Sequence, residues 1–275
     1  MPLPLPPVRA LCVLAFDTST EKLALGLQAS QDAYTHVAAG GAQASATLLP
    51  QVQAMLERAG LRYGDIDAVA FGRGPGAFTG LRTSCAVAQG LGFGLNRPLL
   101  PIDSLLIVAE DARQQAGATA DDFAVAVIMD ARMDEAYAAR YRCLGGLWTV
   151  LQAPALRTLP ELAEAWAGLP TQALAGSGLA AFGSRLMLPA AWPRFEREQD
   201  RAAALLRLAL HAAQRGAGVD AADALPLYLR DKVALTTAER EAVKALKSAS
   251  TAPSQGNVAL PLSLIPAGDG RLRPA

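Results

Sequence analysis

Histidine is nearly absent from this chain: His36 and His211 are its two. With no HxxxH or HExxH pairing to draw on, a metal site carried on one helix is excluded. Cysteine is scarce as well. Cys12, Cys85 and Cys143 stand far apart with no CxxC between them, which predicts reduced thiols in a cytosolic protein rather than a disulfide framework. Net charge is missing, since 25 Lys+Arg balance 25 Asp+Glu. No broad field for nucleic acid exists, and any RNA contact must be local or lent by a partner. No apolar run reaches the length of about 18 residues that a membrane span needs. The opening MPLPLPPVRA lacks the continuous apolar stretch of a signal peptide and reads as a flexible lead-in. Ser177, in GSGL, lacks the GxSxG pattern of a nucleophile elbow.

Glycine, by contrast, is concentrated in one place. Residues 72–82 read GRGPGAFTGLR, with Gly72, Gly74, Gly76 and Gly80 around Pro75. The stretch joins a short apolar run, Ala68 to Phe71, to a segment of helical spacing. A chain without Cβ there turns sharply and approaches other surfaces closely, and the free N–H groups of a helix start favour an anion. Thr79 is the expected N-cap, with Leu81, Cys85 and Ala88 on one face of the helix that follows. A Walker loop is excluded, because Leu81 follows Gly80 where Lys-Ser/Thr is required. A dinucleotide fingerprint is approached by Gly72, Gly74 and Ala77 with Asp103 further on, but a different module precedes the loop. The third reading is a tight turn that merely packs.

The chain around the loop alternates strand and helix signals. Residues 10–16 (ALCVLAF) form a buried strand ending in Asp17-Thr18-Ser19-Thr20, a turn. Leu23, Leu25 and Leu27 alternate as a second strand, and Ala33 to Ala38 supply a third. Leu48, Leu49, Val52, Met55 and Leu56 recur at helical spacing between Ser45 and Ala59, closed by Gly60. A strand at 98–102 and a helix from Ser104 to about Gln115 follow. The pattern then repeats: FAVAVIM at 123–129 ends in Asp130, and after ARMD the segment EAYAARYRC returns. Further elements are a strand at 148–152, a helix at 160–166, a strand from Ala173 running into a glycine turn, a helix at 202–214 and PLYLR at 226–230. Two such halves predict a duplicated α/β fold with a cleft between them, divided into a lead-in (1–9), halves at 10–105 and 106–232, and a loose extension (233–275). In phosphotransferases of that shape the hairpin turns hold phosphates and their aspartates hold Mg²⁺ or orient a nucleophile, so Asp17 and Asp130 are the carboxylates to follow. Turn aspartates satisfied by nearby N–H groups are the ordinary alternative.

LAFDTST at 14–20, GRGPGAFTGLRTSCAVAQGLG at 72–92, MDARMDEAYAARY at 129–141 and PLYLR at 226–230 together resemble the TsaB (YeaZ) family over roughly residues 10–232. That resemblance implies the duplicated actin/hexokinase-like (ASKHA) fold, two mixed-sheet halves with flanking helices. It also implies a non-catalytic scaffold in tRNA threonylcarbamoyladenosine formation, paired with TsaD and TsaE, a homodimer in isolation, and touching tRNA only through the complex. No cofactor of its own is implied, although ATP or ADP is expected at the complex interface. The degenerate nucleotide loops are then Asp17, Thr18, Ser19, Gly72, Gly74, Gly76, Thr79, Gly80 and Asp130. The family's partner surface maps to Leu48, Leu49, Val52, Met55, Leu56, Leu81, Cys85, Ala88 and Gly90 on the first two helices. Ala44 stands where many members carry histidine. Small residues on those helices suit close approach to a partner, and packing within the monomer explains them equally. An independent ATP-dependent small-molecule kinase using Asp17 and Asp130 is the rival reading. Arg73, Arg82 and Arg132 lie near the loops as candidate tRNA contacts, with solvated charge or a carboxylate partner as their ordinary role.

Overall fold

The computed structural model describes residues 11–117, 122–170, 173–189 and 191–230. The lead-in at 1–9 and the extension at 233–275 lie outside the described residues. The first half builds β1 (Val13–Asp17), β2 (Lys22–Ala29), β3 (Asp32–Ala39), α1 (Ala44–Arg58), β4 (Ala68–Gly74), α2 (Phe78–Leu95), β5 (Leu99–Asp103) and α3 (Ser104–Gln115). The second builds β6 (Asp122–Asp130), β7 (Glu135–Leu144), β8 (Leu147–Thr158), α4 (Leu159–Trp166), β9 (Ala173–Ala175), α5 (Gly178–Phe182), β10 (Arg194–Phe195) and α6 (Arg201–Gln214).

The sheets are ordered β3-β2-β1-β4-β5 and β8-β7-β6-β9-β10. Each central strand pairs antiparallel on one side and parallel on the other: β1 with β2 and β4, β6 with β7 and β9. The second order repeats the first element for element, so the duplication read from the two aspartate-ended strands is the actin/hexokinase-like architecture. The central strands β1 and β4 are buried on both faces, and the edge strands β3 and β8 are largely exposed. Leu14 and Phe16 of β1 pack with α1 and α2, whereas the alternate residues Val13 and Ala15 pack with α6, as the period of two requires. The second sheet lies between α3 on one face and α4 and α5 on the other.

Sequence order and packing part company at the third helix of each half. α3 follows the first sheet, yet its Leu105, Val108, Ala109 and Ala112 join the core of the second. α6 follows the second sheet and lies under the first, where Leu206 Cβ and the Ala202 carbonyl come within 3.2 and 3.3 Å of where a Cβ on Gly26 would sit. By sequence α6 therefore belongs to the segment 106–232, and by packing to the first sheet. Other expectations shift more modestly. β8 spans twelve residues (Leu147–Thr158) rather than the five expected, because it pairs with β7 through two register irregularities and continues past Pro154. Both histidines are exposed, His36 on β3 and His211 on α6.

Two buried acids on α3 hold the crossover together. Asp111 accepts hydrogen bonds from the Gln199 and Asp200 N–H groups at 3.0 and 2.8 Å, fixing the entry to α6. Asp200 in turn caps α6 through the Ala203 N–H. Glu110 gathers Arg113, Gln114, Arg207 of α6 and the Trp148 indole N–H of β8. Burial works to raise the Glu110 pKa, but the hydrogen bonds from Arg113 and Arg207 outweigh it and hold the carboxyl below its ordinary value. A depressed folded pKa contributes stability that is present above the unfolded value of about 4.3 and lost as pH falls through the folded one. Glu110→Gln is therefore expected to destabilise the chain by roughly 3 kcal/mol at neutral pH. In thermal unfolding against pH, the gap between wild type and variant closes as the pH is lowered below that carboxylate range.

Candidate functional site

β1 delivers Asp17 to the interior at the end of the strand, where its side chain is fully buried. One carboxylate oxygen accepts from the Ser19 N–H at 2.6 Å and the other from the Ser19 hydroxyl at 3.0 Å. The remaining capacity goes to Arg201, the first residue of α6, whose Nη2 and Nε lie 2.6 and 3.2 Å from Oδ2. Arg201 is itself 4% exposed and also reaches Glu198, the Ser19 hydroxyl and the Ser104 carbonyl. Burial alone disfavours the charged guanidinium, but the charges of Glu198 and Asp17 more than offset it, so its pKa is raised and it stays cationic. A Mg²⁺ of the kind that hairpin aspartates hold in phosphotransferases does not fit here. A cationic side chain already occupies the open side of Asp17, and among the described residues no cluster of His, Cys, Asp and Glu is arranged to ligate a metal.

The glycine loop closes onto the same turn. A Cβ on Gly72 would collide with the Asp17 carboxyl, one on Gly80 with the Thr18 carbonyl, and one on Gly76 would lie 2.5 Å from the Ser19 carbonyl oxygen. Hydrogen bonds seal the contact: Ala77 N–H to the Ser19 carbonyl at 2.8 Å, and the Thr18 hydroxyl to the Gly80 carbonyl at 2.7 Å. Ser84 of α2 adds bonds to the Thr18 N–H and hydroxyl. Gly74, at φ +109°, faces the other way, where a Cβ would stand 2.9 Å from the Leu227 carbonyl. Each glycine is thus explained by protein lying against it, and of the three loop readings the packed turn is the one the geometry supports. The dinucleotide reading loses its acid, because Asp103 pairs with Arg73 at 2.6 Å. Thr79 is not the N-cap: the helix starts at Phe78, Ala77 takes the cap position without a side-chain bond, and Thr79 is exposed.

Asp130 occupies the matching place in the second half. It accepts the Arg132 N–H at 2.8 Å across the hairpin turn, the ordinary behaviour of a turn aspartate. Arg132, Met133 and Asp134 all adopt the left-handed region, with φ of 64°, 59° and 60°. The PLYLR segment touches both turns. Leu227 N–H donates to the Arg73 carbonyl at 2.7 Å, Tyr228 reaches Phe78 and Arg82 on α2, and Arg230 binds Glu135 at 2.7 Å and the Ala131 carbonyl at 2.9 Å. It lies as a strap from one half to the other.

The residues expected to meet a partner divide sharply. Leu48, Val52, Met55, Leu56, Cys85 and Ala88 are buried in the first core, against β1, β2 and β4, and Leu81 is buried with its Cδ atoms 3.0 Å from the place a Cβ on Gly74 would take, so these residues face the core rather than the partner expected of them. Leu49, at 44% exposure, and Gly90 lie on the outer face, beside Phe93 at 64% and Gly94. Helical spacing marks the apolar stripe, and in a helix that covers a sheet the stripe faces the sheet. Ala44 is buried at the start of α1. Sequence reasoning missed Arg201, Glu198, Ser84 and Ser104. Arg201 stands 184 residues from Asp17, and no local pattern joins them.

A family model described as "TsaD: tRNA N6-adenosine threonylcarbamoyltransferase" matches residues 29–238. The "tRNA threonylcarbamoyladenosine biosynthesis protein TsaB" of Escherichia coli is 32% identical over 236 residues, covering 81% of this chain and 96% of that protein. The Haemophilus influenzae protein of the same description is 40% identical over 129 residues, 46% of this chain and 52% of that one. A solved Pseudomonas aeruginosa structure described as having similarity to peptidase YEAZ superposes with a TM-score of 0.71 at 36% identity, covering 80% of this chain and all of the other (100%). Among the described residues no helix is long and apolar enough to cross a membrane.

The packing makes the loop intolerant in a position-dependent way. Gly80→Ala is expected to cost about 3 kcal/mol or more through overpacking against the Thr18 carbonyl. Gly90→Ala, where a Cβ meets nothing within 4 Å, should instead stabilise by about 0.5–1 kcal/mol through helix propensity. Arg201→Met alone strands the buried Asp17 carboxylate and should cost about 3–5 kcal/mol, part of which Asp17→Asn recovers in the double variant. Denaturant unfolding of the four proteins checks each sign, and equal stabilities for Gly80→Ala and Gly90→Ala would contradict the packing argument.

Proposed function

Because the chain belongs to the TsaB (YeaZ) family, part of the wider group that the TsaD model describes, we propose that it is a non-catalytic subunit that pairs with TsaD and supports transfer of a threonylcarbamoyl group to tRNA. The observation that carries this reading is the Arg201 guanidinium on Asp17. In a working phosphotransferase of this architecture that carboxylate must be free to meet a metal or an acceptor hydroxyl. Here it is neutralised by the chain itself, and the glycine loop beside it is filled by the 17–19 turn. Such a fold retains the shape of an enzyme and offers its surface instead.

The surface that suits a partner is the outer face of α1 and α2, where Leu49, Gly90, Phe93 and Gly94 leave apolar and small residues uncovered. Small residues permit close helix approach, and an uncovered phenylalanine supplies a large area to bury. TsaD, TsaE and, in isolation, a second copy of this chain are the partners assigned to this reading. The substrate is the adenosine beside the anticodon in tRNAs reading ANN codons, reached through the complex. No cofactor is required by this chain, and ATP or ADP belongs at its interface with a partner.

Co-purification with TsaD of the same organism, followed by tRNA threonylcarbamoylation with each subunit omitted in turn, tests the proposal. Modification should require both chains, and this chain alone should hydrolyse no ATP. Leu49→Glu and Gly90→Glu place charge on the outer face without disturbing the core and should weaken pairing at least tenfold with thermal stability retained. Stable ATP turnover by the isolated chain, abolished by Asp17→Asn, would instead favour the kinase reading. Normal pairing by both surface variants would move the interface elsewhere.

A further inference from the structure

The strap brings a set of exposed groups together at the junction of the two halves. The Arg82 guanidinium lies 4.0 Å from the Phe78 ring centroid and donates through Nε to the Tyr228 hydroxyl at 3.3 Å. The Phe78 and Tyr228 rings are 5.4 Å apart, and Tyr228 remains 43% exposed. Arg82 makes no ion pair with any of the described residues, so its charge is held in place by the Phe78 ring and the Tyr228 hydroxyl and faces solvent. Two residues further along the strap, Arg230 grips the 131–135 turn from which Arg132 and Met133 project, 78% exposed at the arginine side chain and 65% at the methionine. The three left-handed residues of that turn hold both outward in a conformation that non-glycine residues rarely adopt. Leu225, immediately before the strap, is 65% exposed.

The acids nearby are already engaged. Glu135 pairs with Arg230, Asp134 with Arg185, Asp103 with Arg73, and Asp130 with the Arg132 backbone and, at 3.6 Å, its guanidinium. Asp220 accepts the Ala222 N–H, and Asp223 is exposed on the turn before Ala224. What is left facing solvent is the Arg82 guanidinium, which has no carboxylate among the described residues, together with an uncovered aromatic ring and, at the 131–135 turn, the exposed Arg132 side chain in its 3.6 Å pair with Asp130. Planar guanidinium groups match phosphate oxygens, and an exposed ring offers a face on which a base that has left its stack can lie.

We propose that Arg82, Phe78 and Tyr228, together with Arg132 and Met133, form a docking surface for an unpaired stretch of RNA. The choice of RNA rests on the tRNA-modification reading above; the surface itself rests on the geometry. A base stacks on Tyr228, and the flanking phosphates meet Arg82 and Arg132. Because the chain carries no net charge, binding is confined to this patch and depends on salt through only a few phosphate contacts.

Fluorescence anisotropy with a labelled anticodon stem-loop, using the full chain alone and in complex with TsaD, tests the assignment. A fully paired hairpin of the same length is the control. Tyr228→Ala and Arg82→Ala should each weaken stem-loop binding by about tenfold. Tyr228→Phe should retain it, and Arg82→Lys should recover it only in part, since an ammonium lacks the planar face. Both side chains replaced in these four variants are exposed, so thermal unfolding should stay close to wild type. Equal affinity of the variants and wild type, equal affinity for the paired hairpin, or no binding by wild type in either form would overturn the proposal. Loss of TsaD pairing in Tyr228→Ala or Arg82→Ala with RNA binding intact would make the patch a protein interface and overturn it likewise. Pairing with TsaD is read separately by co-purification, so failure of the scaffold reading is distinguishable from failure of this one.

Discussion

Asp17 and Arg201 meet in the interior, 184 residues apart in the chain, at the centre of a buried network that also takes in Ser19, Glu198 and Ser104. A buried ion pair of this kind adds little net stability over an apolar pair, because desolvation offsets attraction, but it is costly to break from one side. Its consequence is specificity of arrangement. α6 can begin only where Arg201 reaches the end of β1, and Asp111 and Asp200 fix that beginning from below. The crossing of α6 onto the first sheet, and of α3 onto the second, follows from that constraint as much as from the apolar stripes of the helices.

The same pair engages the carboxylate that a phosphotransferase of this outline keeps free. Turn, glycine loop and α6 converge on Asp17. Glycine is needed at Gly72 and Gly80 for contact between two segments of backbone and carboxylate, not for contact with a ligand. The family likeness supports a part in tRNA threonylcarbamoyladenosine biosynthesis, and the chemistry at Asp17 is what underlies the proposal that this chain works through its surfaces.

Those surfaces are of two kinds. The outer face of α1 and α2 is apolar and small-residue-rich, suited to helices of another protein. The strap between the halves displays arginine and aromatic groups in a fixed array, with the neighbouring acids already paired. The first is suited to burial against another helix, the second to an anionic and planar ligand.

How much of this was legible beforehand depends on range. The apolar run ending at Asp17, its repetition ending at Asp130 and the helical stripes of α1 and α2 are legible because they are local patterns, set by backbone geometry and burial. From them the strands, the duplication and the fold class follow without coordinates. The family resemblance places a partner on the first two helices, and periodicity marks which face of each is apolar but not what covers it; the first sheet covers Leu48, Val52 and Met55. The partner of Asp17, the purpose of each loop glycine, the true cap at Ala77 and the bridging course of residues 224–230 were decided by tertiary structure alone. They are contacts between segments far apart in sequence, whose energies depend on distances of a few ångströms that no local pattern encodes.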